Sequence, residues 1–134
     1  MTAIADSATG VRYENLRIEH RGPISWIILD RPDKANSLSN EMLDEFSGAL
    51  AALATSGGPI IGIRGAGKGF SAGYDIGQVG KVVADPDPVA DRERLARNVN
   101  RFLAIWDHPK PVIAAVSGMT RNHSTSAATT VKAV

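Results

Sequence analysis

Three short apolar runs constrain the fold of this chain more than any other feature. They are Ile24–Leu29, residues 60–64 and residues 111–116. Such runs, rich in β-branched or small apolar residues, are typical of buried strands. Between successive runs lies a longer segment whose apolar residues recur at helical spacing. Strand, helix and strand in this order predict crossover units, and therefore an α/β fold.

A hairpin is predicted ahead of the crossovers. Residues 16–19 alternate apolar and charged side chains with the period of two that a strand requires. Arg21, Gly22 and Pro23 then supply turn chemistry before the first apolar run. We expect that apolar run to be the more buried of the two strands.

Two helices are predicted between the apolar runs. Ser39 is the expected N-cap of the first, with Glu41 in its first turn, and residues 56–59 are expected to stop it. Asp87 is the expected N-cap of the second, with Pro88 at the first helical position. The expected apolar faces are Leu43, Phe46, Leu50 and Leu53 in the first helix, and Leu95, Val99, Phe102, Leu103 and Trp106 in the second.

The two ends of the chain lack these patterns. Residues 1–12 are small and polar and are interpreted as a flexible leader. Residues 119–134 are rich in Thr, Ser and Ala without a clear period, and no helix or strand is predicted there. We therefore expect one domain at residues 13–118, which is long enough to bury a core.

Composition argues against several classes of function. Fifteen Lys and Arg residues balance fourteen Asp and Glu residues, and the basic cluster at residues 92–101 alternates with acidic side chains, so nucleic-acid binding is not expected. There is no cysteine and the three histidines are dispersed, so no metal site is predicted. No apolar run approaches the ~18 residues of a membrane span, and no secretory leader is recognisable. A cytoplasmic location is therefore expected.

A glycine loop, residues 65–75, follows the second apolar run directly and contains four glycines. A tight turn without a ligand is the simplest interpretation, because glycine adopts positive φ angles at little cost. The loop leads through Tyr74 and Asp75 to Ile76 with little intervening coil. Backbone N–H groups near Tyr74 are therefore expected at a helix start, where they suit an anion or a developing oxyanion.

Two short motifs overlap the glycine loop. Residues 62–69 come within one position of a phosphate-binding Walker A loop, but Gly69 stands where that motif carries the Ser or Thr that holds Mg²⁺. Residues 69–73 match the Gly-x-Ser-x-Gly elbow of serine hydrolases, in which Ser71 would be the nucleophile and His108 or His123, which follow it in the chain, the base. The strand-to-helix context that each motif requires is weak in this sequence.

Three segments, in this order, resemble the crotonase superfamily, the enoyl-CoA hydratases and isomerases. Residues 29–38 are similar to its Arg-Pro-x-x-x-Asn-Ala/Ser-Leu segment, and residues 67–76 to its Phe-Ser/Cys-Ala-Gly-x-Asp motif. Residues 109–118 are similar to its Pro-Lys-Pro-x-Ile-Ala-Ala-Val-x-Gly strand. Together the three cover roughly residues 12–118. The resemblance implies an incomplete crotonase-like (ClpP/crotonase) spiral of β-β-α units.

The resemblance also implies an oxyanion site. In the family, the peptide N–H between the motif Gly and Asp is one of two donors to the thioester carbonyl oxygen, which makes Tyr74 the donor here. Each such donor stabilises a transition state by about 2.7–4 kcal/mol. Coenzyme A is expected against the two matching loops as part of the substrate, and no permanently bound cofactor is expected. The implied contacts are Lys34, Ala35, Ser37, Leu38, Ala72, Gly73, Asp75 and Ile76.

The tail departs from the family. Members continue through a glycine-rich segment that supplies the second donor, and hydratases carry two catalytic glutamates beyond it, whereas residues 119–134 contain neither glycine nor glutamate. The resemblance therefore implies a protein that binds acyl-CoA thioesters, with water addition to 2-enoyl-CoA or related enolate chemistry impaired. A non-catalytic acyl-CoA-binding or subunit-interaction fragment is the alternative. A serine hydrolase using Ser71 is a more remote one.

The resemblance further implies a setting and a mode of assembly. Members act in fatty-acyl-CoA metabolism and assemble as trimers or pairs of trimers. They close their core with a part that has no match in this sequence. We therefore expect this chain to expose apolar surface and to associate into a homo-oligomer.

Overall fold

In the computed structural model, which describes residues 10–78, 87–118 and 127–130, the chain forms a five-stranded sheet of order β1-β2-β3-β4-β5. The strands are β1 (Leu16–Arg21), β2 (Ile24–Leu29), β3 (Ile60–Gly65), β4 (Val112–Val116) and β5 (Ala127–Thr130). The two outer pairs are antiparallel, and the two inner pairs are parallel. Both the predicted hairpin and the predicted crossovers are therefore confirmed.

Two helices connect the parallel strands. Helix α1 (Asn40–Leu53) lies between β2 and β3, and helix α2 (Pro88–Trp106) lies between β3 and β4. Both predicted N-caps are confirmed. Ser39 Oγ accepts the Met42 N–H at 3.2 Å, and the Asp87 carboxylate accepts the first free N–H groups of α2 at 3.0 and 3.3 Å. These bonds satisfy donors that have no partner within a helix.

Helix α1 and one face of the sheet form the core. Ile27 lies opposite Ile63 in the parallel register, and Ile61 lies opposite Val112, so neighbouring strands present aligned apolar side chains to the helix. Each fully buried side chain of this size contributes about 1.5–3 kcal/mol. The buried face of α1 contains the four predicted residues together with Met42 and Ala49.

Helix α2 packs differently. Its predicted apolar face forms, yet Asn98 is its only residue in the buried class. The five apolar side chains of that face are each 43–62% exposed. The expectation that this chain exposes apolar surface is therefore confirmed, whereas self-association stays a prediction. No helix in the described part of the chain is long and apolar enough to cross a membrane.

Strand β5 corrects the expectation that residues 119–134 hold no regular element. It pairs antiparallel with β4, with Ala127 opposite Val116 and Thr130 opposite Ile113. The free edge of β4 offers backbone N–H and C=O groups to any extended segment, whatever its side-chain pattern. A strand held by backbone pairing leaves no hydrophobic period to detect. The rest of the tail, and residues 1–9 of the expected leader, lie outside the described residues.

Candidate oxyanion site

Two loops lie side by side where β2 and β3 end. The polar loop (residues 30–39) follows β2, and the glycine loop (residues 65–75) continues from the end of β3. Leu29 and Gly65 are aligned across the parallel pair, and the Ala66 N–H donates to the Leu29 carbonyl at 2.8 Å. Because parallel strands end at the same edge, both loops open there, which is where open α/β sheets bind ligands.

Three backbone hydrogen bonds join the two loops. The Ala72 N–H donates to the Ala35 carbonyl at 2.9 Å, and the Leu38 N–H donates to the Gly73 carbonyl at 2.7 Å. The Asp75 N–H returns to the Leu38 carbonyl at 3.1 Å. The structure thus brings together five of the residues that the resemblance implied as ligand contacts.

Tyr74 lies at the centre of this junction. Its bridge to Leu38 is parallel, and a parallel bridge uses the groups of the flanking residues, Gly73 and Asp75. Since a trans peptide directs its C=O and N–H to opposite sides, the bonded Gly73 carbonyl turns the Tyr74 N–H away from the polar loop. Within the described residues, this N–H donates no hydrogen bond. The geometry therefore leaves one backbone donor fixed and available.

Two further features set the surroundings of this donor. Gly73 has φ +91°, a conformation that L side chains rarely adopt, and so permits the turn that precedes Tyr74. The Tyr74 ring packs edge-on against Phe102 of α2, with the ring centroids 6.4 Å apart, and the residue is 47% exposed. The residue that carries the donor therefore lies at the surface, and its ring belongs to an aromatic pair.

Asn36 holds the junction, a role that was not predicted from the sequence. Its side-chain oxygen accepts the Arg31 N–H at 2.8 Å, and its amide group donates to the carbonyls of Ala66 at 2.8 Å and Gly69 at 3.2 Å. It is 1% exposed and has φ +52°. Asn tolerates the left-handed region and bonds to nearby backbone. An Asn within a polar loop was thus the available signal.

Ser71 is part of the same network. Its hydroxyl donates to the Asn36 carbonyl at 2.7 Å and accepts the Gly73 N–H at 3.1 Å. The two histidines in the described part of the chain bond elsewhere, His20 to Ser25 and His108 to Leu50. Ser71 therefore braces the loop, and no described base activates it. His123, the other candidate base, lies outside the described residues.

The Walker A interpretation also lacks its structural context. Residues 66–75 are not helical, and the first helical residue after Lys68 is Ile76. A Walker A lysine lies instead at the start of a helix, beside the phosphates. No group of three or more His, Asp or Glu side chains within the described residues could hold a metal ion.

An ion pair bridges the loops beside these backbone bonds. Arg31 Nη2 lies 3.6 Å from Asp75 Oδ2, and Arg31 Nη1 donates to the Ser37 carbonyl at 3.0 Å. The other oxygen of Asp75 accepts the Gly77 N–H at 3.0 Å. The side chains of Arg31 and Asp75 are only 19% and 25% exposed, so water screens the pair less than at an open surface. Asp75 and Ser37, both implied ligand contacts, thus also hold the loop geometry.

Gln78 ties the exit of the glycine loop to the start of α1. Its side chain accepts the Asn40 N–H at 2.9 Å and donates to Glu41 Oε2 at 2.9 Å. The pKa of Glu41 is lowered from 4.5, first by its own backbone N–H and then by the Gln78 amide. The carboxylate form of Glu41 is therefore the form that this contact favours.

Three hollows flank the junction in the described part of the chain, and the smallest, of about 240 Å³, is lined by Tyr74 together with Leu38 and Gln78. A cleft of about 720 Å³ opens between the loops and the end of β4, and it is lined by Pro32, Ala35, Asn36, residues 66–72 and residues 116–118. Beside it lies an apolar cavity of about 330 Å³ beneath α2, whose walls include Phe70 and Val116 in common with the cleft. The volumes of the cleft and of this cavity both fall in the range of small-molecule sites. Lys34 and Ala35 are exposed, and Ile76 is 84% exposed, so these implied contacts face solvent.

Comparison of this chain with known protein families and structures shows which family it belongs to. The family model for enoyl-CoA hydratase/isomerase matches residues 19–122, which contain both loops and all the strands from β2 to β4. This chain belongs to the enoyl-CoA hydratase/isomerase family. The resemblance of the three segments and the crotonase-like fold are therefore confirmed, and β5 lies beyond the matched region.

Individual family members agree. YhaR of Bacillus subtilis, assigned to the enoyl-CoA hydratases/isomerases, is 38% identical over 98 residues, which are 72% of this chain and 37% of that protein. The mitochondrial enoyl-CoA hydratase of Pongo abelii is 32% identical over 121 residues, 83% of this chain and 38% of the relative. A solved enoyl-CoA hydratase/isomerase structure from Novosphingobium aromaticivorans has 44% identity and a TM-score of 0.73, covering 78% and 38% of the two chains. This chain thus spans well under half the length of these family members.

Proposed function

We propose that this chain binds acyl-CoA thioesters at the loop junction and holds the thioester carbonyl oxygen with the Tyr74 N–H. The direction of that N–H carries the proposal, because the Leu38–Gly73 bond turns it away from the polar loop and no described acceptor uses it. A donor fixed in advance needs no reorganisation when charge develops on the oxygen. Family membership supports the thioester as the ligand.

Coenzyme A then lies along the cleft between the two loops as part of the substrate. The Lys34 side chain supplies a positive charge at the exposed end of the polar loop, where phosphate groups stay hydrated. Ala35 and Ala72, already joined by a backbone bond, present small side chains that allow close approach. Leu38, Gly73 and Ile76 complete the proposed contact surface.

Turnover is proposed to be weak or absent. Water addition needs a base for the water and an acid for the α-carbon. Residues 119–134 contain no glutamate to take either role, and no glycine segment to supply a second oxyanion donor. One backbone donor polarises a thioester but does not move protons.

Two ligands test the proposed site. Butyryl-CoA carries the carbonyl, and S-butyl-CoA has the same chain as a thioether without it. Calorimetric titration should show tighter binding of butyryl-CoA by roughly tenfold, the effect of about one hydrogen bond. Equal affinities would contradict the Tyr74 donor. Loss of the conjugated thioester absorbance of crotonyl-CoA should be slow, and rapid loss would contradict impaired catalysis.

The exposed face of α2 favours a role in subunit interaction as a second candidate. Its five apolar side chains are 43–62% exposed, and a patch of this kind commonly marks an interface. We infer a homo-oligomer, a trimer or hexamer by family. A single monomeric species in light scattering at high protein concentration would contradict it.

A further inference from the structure

Asn36 occupies a position that no contact with a ligand explains. Although Asn36 lines the cleft, the whole residue is only 1% exposed, so its amide offers a ligand there almost no surface. All three side-chain hydrogen bonds go to backbone groups, one in its own loop and two in the glycine loop. The amide therefore clamps one loop to the other.

The clamp reaches Tyr74 through two short routes. Along the first, the Asn36 carbonyl accepts the Ser71 hydroxyl, which accepts the Gly73 N–H. Along the second, the polar loop continues from Asn36 to Leu38, whose N–H holds the Gly73 carbonyl at 2.7 Å. Both routes end on the two peptide units of Gly73, and the second of these units contains the Tyr74 N–H. Since a peptide is planar, fixing its carbonyl fixes its N–H.

We propose that Asn36 is a positioning residue that sets the direction of the Tyr74 N–H donor. The inference rests on the proposed function, because it concerns the same donor. A positioning role predicts that loss of the Asn36 amide weakens one contact with the ligand and not the binding of the ligand as a whole. Loss of the Asn36 amide should reduce the recognition of a thioester carbonyl more than the recognition of the rest of the ligand.

The Asn36→Asp substitution isolates the amide. Asp has nearly the same shape, tolerates φ +52°, and keeps an oxygen for the Arg31 N–H. It places a second oxygen against the carbonyls of Ala66 and Gly69, where the amide donated before. Asn36→Gly is the second variant, because glycine adopts the same φ without strain and removes the side chain altogether.

The measurement is the affinity for butyryl-CoA divided by the affinity for S-butyl-CoA, by calorimetric titration. In wild type this ratio isolates the carbonyl, and in Asn36→Asp it should fall roughly tenfold, toward one. A wild-type ratio of one would overturn the proposed function and this inference with it. A raised wild-type ratio that is unchanged in Asn36→Asp would overturn this inference alone. If Asn36→Asp does not fold, Asn36→Gly gives the same two outcomes.

Asn15→Asp is the control for lost stability. The Asn15 amide donates to the Glu45 carboxylate at 3.1 Å, in the segment before β1. Asn15 meets the polar loop through its backbone carbonyl, which accepts the Asp30 N–H at 2.9 Å and which the substitution keeps. Replacement by Asp sets two carboxylates against each other and should lower stability. The affinity ratio should stay at the wild-type value, and an equal fall in this variant would assign the Asn36 effect to stability and overturn the inference.

Discussion

The side chains of the loop junction and those of helix α2 differ in whether they find partners within this chain. At the junction, a fully buried amide and a shielded ion pair find all their partners within neighbouring segments of this chain. Along α2, five large apolar side chains remain 43–62% exposed, with an aromatic contact between Phe102 and Tyr74 as a link to the junction. The geometry of the donor is thus fixed locally, whereas the burial of α2 depends on another surface. Four predictions test that contrast, some with a matched control variant.

Gly65→Ala should have the largest effect. A Cβ at Gly65 would lie 2.3 Å from the Gly69 carbonyl oxygen and 2.4 Å from that of Phe70, so the glycine loop could not fold back over β3. We expect a loss of about 3 kcal/mol in the free energy of unfolding, measured by urea denaturation.

Gly69→Ala is the control within the same loop. Among the residues that the structure describes, a Cβ there meets only the Ser117 carbonyl oxygen, at 3.9 Å, an ordinary contact. The free energy of unfolding should change by no more than about 0.5 kcal/mol. Equal losses in the two variants would show that the junction does not depend on the close approach at Gly65.

Arg31→Met should lower the free energy of unfolding by about 1 kcal/mol, because it removes a hydrogen bond to the Ser37 carbonyl and a shielded ion pair with Asp75. Arg21→Met serves as the control. Arg21 pairs with Glu19, but its side chain is 70% exposed, so Arg21→Met should change the free energy of unfolding by no more than about 0.5 kcal/mol. Equal urea midpoints for the two variants would contradict a stabilising role of Arg31 at the junction.

The double substitution Val99→Gln and Leu103→Gln tests α2. Both side chains are about half exposed, at 54% and 48%, so the unfolding free energy should change by only about 0.5 kcal/mol per substitution. The expected change is in light scattering, where the apparent mass should fall toward that of a monomer. If the double variant stays as associated as wild type, this face is not the interface.

Glu41→Gln should have the smallest effect, and one that depends on pH. The pKa of Glu41 is lowered from 4.5 in the folded state, so its charged form stabilises the folded protein above pH 4.5. This stabilisation is lost as the pH falls through the lowered pKa of the folded state. The gap in stability between wild type and Glu41→Gln should therefore narrow in acid. Glu19, whose pKa is lowered chiefly by the Arg21 hydrogen bond, titrates in both proteins and cancels. A gap that widens in acid would contradict the assignment.

Much of the fold could be predicted because its signals are local. Ser39 and Asp87 cap helices through their own side chains within three residues, and the buried face of α1 repeats at helical spacing. Strand β5 could not be predicted, because it is held by pairing with β4 and carries no period of its own. The family resemblance predicted that the chain exposes apolar surface, but not that this surface lies on α2, because an amphipathic pattern does not show what covers a helix face.

The candidate site shows the same division. The resemblance predicted contacts in the polar loop and the glycine loop, and the structure shows that backbone hydrogen bonds join these two loops. The four glycines of the glycine loop, however, looked equivalent in sequence. Only the structure separates Gly65, where a Cβ clashes with backbone, from Gly69, where it does not. Asn36 was missed because its partners lie 30 and 33 residues away, and such bonds leave no mark on local spacing.

The two tryptophans divide between the regions compared above. Trp26 is half-buried on β2, where its ring lies over Gly62 and beneath the Arg64 guanidinium, and Trp106 is 62% exposed near the end of α2. Their emission should therefore respond to acrylamide quenching separately, with Trp106 the more accessible. One fluorescence titration can follow the covering of α2 by a partner while the sheet that carries the loops serves as an internal reference.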